Sequence, residues 1–233
     1  MRKFFFALVM MALLQVFNIK VSEAQTVVTY STAGNFTWTP PVGTTSFRVE
    51  VWGGGAAGNA SFGGGGGSYA RSSLLSVTQS SYNLSVGAGG ITSGANGTFS
   101  WFGCSSGCFY GLVAGGGLAN GGNPSAISSP PLEAYFLGGK GGAICNANGN
   151  WAGGSGGSSA SPTSNGINGN PGNCAGVNGQ GGFPVTISGG GTGERGGSGF
   201  GGSGTDGGAP GGGGGAAFSG SGGIFGKGAA GKI

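Results

Sequence analysis

The sequence has no histidine at all, and its three methionines, Met1, Met10 and Met11, all lie at the start. Without imidazole, Ser–His and Cys–His nucleophilic catalysis is closed to the chain, as is metal binding through histidine. Charge is almost as scarce: only 6% of residues are Asp, Glu, Lys or Arg. After residue 24 the bases are Arg48, Arg71, Lys140, Arg195, Lys227 and Lys232, scattered so widely that no basic stripe forms. Nucleic acid is therefore dropped as a partner. Past the first two dozen residues no apolar run approaches the roughly 20 residues a membrane span needs, so no membrane insertion is expected there. No segment beyond that point shows a helical period longer than a turn.

The first residues decide the compartment. Arg2 and Lys3 precede an apolar run from Phe4 to Phe17, and Ser22 and Ala24 are the small residues that a signal peptidase reads before a cut. Residues 1–24 are read as a signal peptide, so a secreted chain starts at Gln25, free or held at the cell surface. It then carries six bases and four acids, a net charge of about +2.

What is present reads as a mainly β protein. Thr26–Tyr30 is a β-branched run, and Phe36–Trp38 alternates before the turn at Pro40–Gly43. Ser46–Trp52 is the clearest strand, with Phe47, Val49 and Val51 on the inward face and Arg48, Glu50 and Trp52 on the other. Arg48 and Glu50, two residues apart on one face, read as a solvated ion pair. Ser81–Val86, Thr98–Phe102 and Phe109–Ala114 are further strands. The reading places core strands in 25–115 and a glycine-rich region, packed on the same domain, in 116–233.

Sixty-three glycines and nine prolines put the composition where disorder is the first expectation. A period argues otherwise. Between Gly190 and Gly226 every third position is glycine at 11 of 13 sites, with Thr205 and Ala217 the exceptions. The other two registers hold 4 and 5 glycines in 12 sites each, so the enrichment is periodic. Three residues per turn is the period of an extended polyproline-type helix, and only glycine lets such backbones touch and bond sideways. A collagen triple helix is excluded, because Pro210 is the only proline in that stretch. Packed polyglycine II helices, loose coil and ordinary strands stay open as readings. Ordering glycine is entropically costly, so this region needs the β part and the anchors Phe183, Val185, Phe200, Phe218, Ile224 and Phe225.

Four cysteines, Cys104, Cys108, Cys145 and Cys174, suit two disulfides in an exported chain better than a zinc site, which their spacing fits poorly. Proximity in the chain selects Cys104–Cys108 and Cys145–Cys174. The acids Glu50, Glu133, Glu194 and Asp206 offer no convincing catalytic pair, and no phosphate-binding motif follows the glycine runs. No enzyme activity, metal or cofactor is expected. With so few large side chains outside, aromatics must supply any binding energy. Phe99 and Phe102 are assigned to the core. Trp101, Tyr110 and Trp151 are the candidate binding residues, expected to be partly exposed.

The string FRVEVWGGG at Phe47–Gly55, with SYARSSLLSV, YNLSVGAGG, GTFSWFG and LVAGGG after it, resembles the extracellular glycine-rich domain family. That family occurs in bacterial and phage surface proteins, and a related version lies in the ectodomains of anaplastic lymphoma kinase and leukocyte tyrosine kinase receptors. A looser likeness is to phage tail-fibre adhesins rich in polyglycine helices. The resemblance implies a jelly-roll-like β-sandwich whose loops expand into polyglycine II helices, acting in recognition, and a last strand at Gly231–Ile233. The expected function is a non-catalytic extracellular recognition or adhesion module whose partner is a cell-surface protein or glycan. The alternative is a self-associating structural subunit of a matrix or filament. An ice-binding role is a third reading, weakened by the scarcity of threonine after Ala114.

Overall fold

The structure is a computed structural model that describes residues 25–104, 111–120, 132–147, 149–175, 180–198, 202–217 and 222–233. Its strands in chain order are β1 (Gly34–Trp38), β2 (Ser46–Phe47), β3 (Glu50–Trp52), β4 (Tyr69–Ser72), β5 (Leu75–Ser76) and β6 (Tyr82–Val86). Then come β7 (Ser100–Cys104), β8 (Leu112–Ala114), β9 (Leu132–Phe136), β10 (Cys145–Ala147) and β11 (Asn150–Ala152). No helix occurs among the described residues, and the fold is mainly β. All ladders are antiparallel: a four-stranded sheet β1-β6-β7-β8, a three-stranded sheet β3-β4-β9, and the pairs β2-β5 and β10-β11.

Alternation along β6 places Tyr82, Leu84 and Val86 inward and Asn83 and Ser85 outward. The inward residues meet Phe102, Leu112 and Ala114 of their own sheet, Val51 and Ala70 from the three-stranded sheet, and Val49 just before it, forming one apolar cluster. Trp38, Phe47 and Tyr82 close one side with ring centroids 4.8–5.7 Å apart. Phe47, Val49 and Val51 thus point inward, as their alternation indicated.

The predicted strand 46–52 is split. Ser46–Phe47 pairs with β5 and Glu50–Trp52 with β4, so the chain passes from one ladder to the next around Arg48 and Val49. There the Val49 N–H bonds to the Ser72 hydroxyl (2.9 Å). Trp52, expected on the solvent face, is buried. Its indole N–H donates to the Ala160 carbonyl (3.1 Å), and its ring lies 4.8 Å from Tyr69. A glycine-rich segment covers that end of the sheet, which makes a second interior where sequence alternation alone implies water.

The glycine segments bond with a period of three. Gly53 and Ala56 donate to Ser68 and Gly65; Gly54 and Ala57 to Thr98 and Ala95; Gly55 and Gly58 to Ala229 and Gly226, all at 2.8–3.0 Å. The carbonyls of Gly54, Gly55 and Ala56 accept from Gly117, Gly90 and Gly214. A β-strand offers its bonds to two neighbours in one plane, whereas this segment has six neighbours around it. Segment 211–217 is similarly enclosed: Gly213, Gly214 and Gly215 donate to Gly157, Ala56 and Thr205. Packing at this distance leaves no room for a side chain; a methyl group on Gly213 would overlap the Gly64 carbonyl.

The sequence pattern follows the number of neighbours. Segments enclosed on all sides are runs of glycine, alanine and serine, as at 53–58, 63–68 and 211–217, all buried. Segment 163–175 sits at the edge, with Gly166, Gly169 and Gly172 turned inward and most other residues exposed. Ser155, Ser158 and Ser161 zip that edge segment down, their hydroxyls accepting the N–H groups of Asn170, Ile167 and Ser164 (2.8, 2.8 and 3.1 Å).

The glycine segments from before and after residue 115 therefore interleave, and strands β9, β10 and β11 lie beyond it. The predicted division at 115/116 does not separate strands from glycine packing. Thr26–Tyr30 is not a strand, although Tyr30 exchanges both backbone bonds with Ile233 (2.7 and 2.9 Å). Lys232 pairs likewise with Trp52, so Gly231–Ile233 lies between β3 and the segment that holds Tyr30.

Candidate binding face

The core side of β7 is used up by structure. The Ser100 hydroxyl donates to the Trp52 carbonyl (2.6 Å) and accepts the Gly87 N–H (2.7 Å), and Phe102 is buried in the main cluster. Alternation then turns Trp101 to the other face, where it is partly buried. Strand register places Asn35, Ser85, Trp101 and Val113 in one row across the four-stranded sheet, and Thr37, Asn83 and Gly103 in the next. The Thr37 hydroxyl donates to the Asn83 side-chain oxygen (3.1 Å). A Cβ placed on Gly103 would sit 3.6 Å from Cε3 and Cζ3 of Trp101, so the indole leans over a position that has no side chain. None of these residues is ionisable.

The sequence-predicted residues fare differently. Trp101 is at the surface of the sheet. Trp151, expected to be partly exposed, is only 1% exposed. It sits on β11, where Ala152 and residues 153–161 beyond it are buried too, so its small neighbours mark a packed interior. Tyr110 lies outside the described residues, as do Cys108 and the anchors Phe200 and Phe218. Phe99, assigned to the core with Phe102, is 58% exposed; an odd spacing of three cannot put both residues on one side of a strand. Cys145 is disulfide-bonded to Cys174, which ties β10 to residues 173–174.

Charge concentrates on the three-stranded sheet instead. Arg48 pairs with Glu133 (3.0 Å), and Arg71 with Glu133 (3.1 Å) and Glu50 (4.0 Å). Arg48 thus takes its partner from β9, and Glu50 takes its partner from β4 across the ladder, so the expected Arg48–Glu50 pair is not formed. These pairs are partly exposed and balanced in sign, each worth about 0–1 kcal/mol. Beneath them, burial pushes the Tyr69 hydroxyl well above the usual phenol range; the Glu50 carboxylate adds to this and Arg71 opposes it. Burial also raises Tyr135, countered by its bond to Ser68 (3.1 Å). Among the described residues no group of three or more His, Cys, Asp or Glu is placed to hold a metal ion, and no helix is long and apolar enough to cross a membrane.

Sequence reasoning missed the serine ladder, although Ser155, Ser158 and Ser161 carry the same period of three that the glycines show. It also missed Asn165 and Asn168, again three apart, whose side-chain oxygens accept the N–H groups of Leu137 and Lys140 (2.8 and 2.9 Å).

No curated protein matches the chain. A family model described as a glycine-rich domain matches residues 30–233, and the chain belongs to that glycine-rich domain family.

Proposed function

We propose that this chain is an exported, non-catalytic recognition or adhesion module. Its β layers form a sandwich braced by polyglycine II helices, and it meets its partner through the outer face of the four-stranded sheet. The observation that carries the reading is Trp101, a large aromatic only partly buried on the outer face of the four-stranded sheet, where none of its row neighbours is ionisable. Large aromatics supply most of the energy where proteins bind. The three-residue repeat of backbone bonds supports the polyglycine helices, and the core shared between two sheets supports the sandwich. The Cys145–Cys174 bond and the signal-like first 24 residues support export into an oxidising compartment. The resemblance of FRVEVWGGG at Phe47–Gly55 and the strings after it to extracellular glycine-rich domains of bacterial and phage surface proteins and of receptor ectodomains points the same way.

A structural subunit is the second reading, favoured by β9. Among the described residues that strand is the edge of its sheet, paired with β4, and Leu132 at its start is 40% exposed. Such an edge can template pairing with another chain. Sedimentation velocity over a wide concentration range, combined with retention on cell and matrix surfaces, separates the two. A monomer that is retained supports recognition. Concentration-dependent polymers that no foreign surface retains contradict it.

A further inference from the structure

We infer that the Trp101 face binds an uncharged saccharide; this rests on the recognition reading and names its ligand class. Three features of the face select that chemistry. The first is charge. Asn35, Thr37, Asn83, Ser85, Trp101 and Val113 include no ionisable group, and the ion pairs of the three-stranded sheet belong to a different sheet. An acidic or basic ligand set down here would lose hydration and gain no counter-charge. A neutral one loses nothing of that kind.

The second is the mix of groups. An indole leaning over Gly103 presents a flat apolar surface suited to the C–H face of a sugar ring. The hydroxyls and amides of Ser85, Asn83, Thr37 and Asn35 flank it in register on the neighbouring strands, where they can exchange hydrogen bonds with sugar hydroxyls. Asn35 and Thr37, on β1, are exposed.

The third is size. Four strands about 4.8 Å apart and two rows about 7 Å apart along them define a patch of roughly 100 Å². Two rows of this span are large enough to seat a short oligosaccharide.

The test uses tryptophan fluorescence of the secreted protein, produced in a host that attaches no N-glycans, because Asn35 and Asn83 each begin an Asn-x-Ser/Thr sequence on this face. Trp52 and Trp151 are buried, at 4% and 1% exposure, and Trp38 packs against the core, so Trp101 is the indole best placed to report a ligand. The probes are neutral oligosaccharides of glucose, galactose, mannose and N-acetylglucosamine, with sialylated and sulfated counterparts. The inference expects a saturable change with at least one neutral probe and none with the acidic ones. By isothermal titration calorimetry, which needs no reporting indole, Trp101→Ala should weaken that binding at least tenfold at an unchanged melting temperature, and Trp101→Phe should keep part of it. No response to any probe, equal response to acidic probes, or undiminished binding by Trp101→Ala overturns it. If the protein is still retained on a cell surface through Trp101 but free saccharides do not compete, the saccharide inference fails and the recognition reading stands. If Trp101 does not matter to retention, both fail.

Discussion

Gly64→Ala tests the glycine packing with one carbon atom. Gly64 lies in a fully buried run, donates to Gly214 (2.8 Å) and accepts from Gly157 (2.9 Å). An added methyl would overlap the Ala56 carbonyl, which is backbone and can move only if its own segment moves. That movement would strain or break the bonds Ala56 N–H to Gly65 (2.9 Å) and Gly214 N–H to Ala56 (3.0 Å). Overpacking costs about 1–3 kcal/mol, and each buried bond left unmade costs about 1–3 kcal/mol. Alanine also restricts the unfolded chain, which works the other way by about 0.4–1 kcal/mol. Taking the middle of each range, the expected net loss from the overlap and one lost bond less that gain is about 3 kcal/mol. For a chain of this size it lowers the melting temperature by roughly 6–13 °C. Gly103→Ala is the control, since its methyl makes only ordinary contact with Trp101 at 3.6 Å. Thermal melts followed by circular dichroism decide. Equal melting temperatures for the two variants would refute the close-packed account of the glycine segments.

Val49→Asp should destabilise the fold by about 3–5 kcal/mol in denaturant titrations, because it buries an unpaired charge, whereas Arg48→Ala should cost under about 1 kcal/mol. Tyr69 has a raised folded-state pKa, so its contribution is complete below the unfolded value of about 10 and is lost as pH rises above it. Tyr69→Phe should therefore flatten the fall of melting temperature above about pH 10; an identical alkaline profile counts against the buried hydroxyl. The Cys145–Cys174 bond closes a separation of 29 residues and should contribute about 3–4 kcal/mol, lost in a Cys145→Ala, Cys174→Ala variant. With both expected disulfides present, the unreduced chain weighs four hydrogens less than the reduced one, and free thiols or bound zinc would contradict that pairing.

Much of the β part was legible because its signal is local. Tyr82, Leu84 and Val86 alternate, and so do Phe47, Val49 and Val51, so burial on one face could be read directly from period two. Trp52 was placed on the solvent face by alternation alone and is buried because Ala160, remote in sequence, packs over it; Trp151 has small neighbours that look like surface residues, yet residues 152–161 are buried with it. A period of two or three shows that one side of a chain is occupied, but not by what. Within the runs at 53–58 and 211–217 glycine and alanine fill almost every position, since every side is occupied, so composition alone makes such short runs look like coil. The face around Trp101 was half legible. Its Trp could be placed outward from Phe102, but the rows Asn35–Ser85 and Thr37–Asn83 depend on register with β1 and β6, which only the fold supplies. Phe99 was misassigned by grouping it with Phe102 although three residues separate them along an extended chain.

The most direct test of recognition through this face is retention of the wild-type protein and Trp101→Ala on the same cell or matrix surface, measured as Kd. Losing a central aromatic contact costs at least about 2 kcal/mol in a typical binding hot spot. The account predicts a Kd roughly thirtyfold weaker for Trp101→Ala, with the melting temperature unchanged. Equal retention of the two proteins would contradict it.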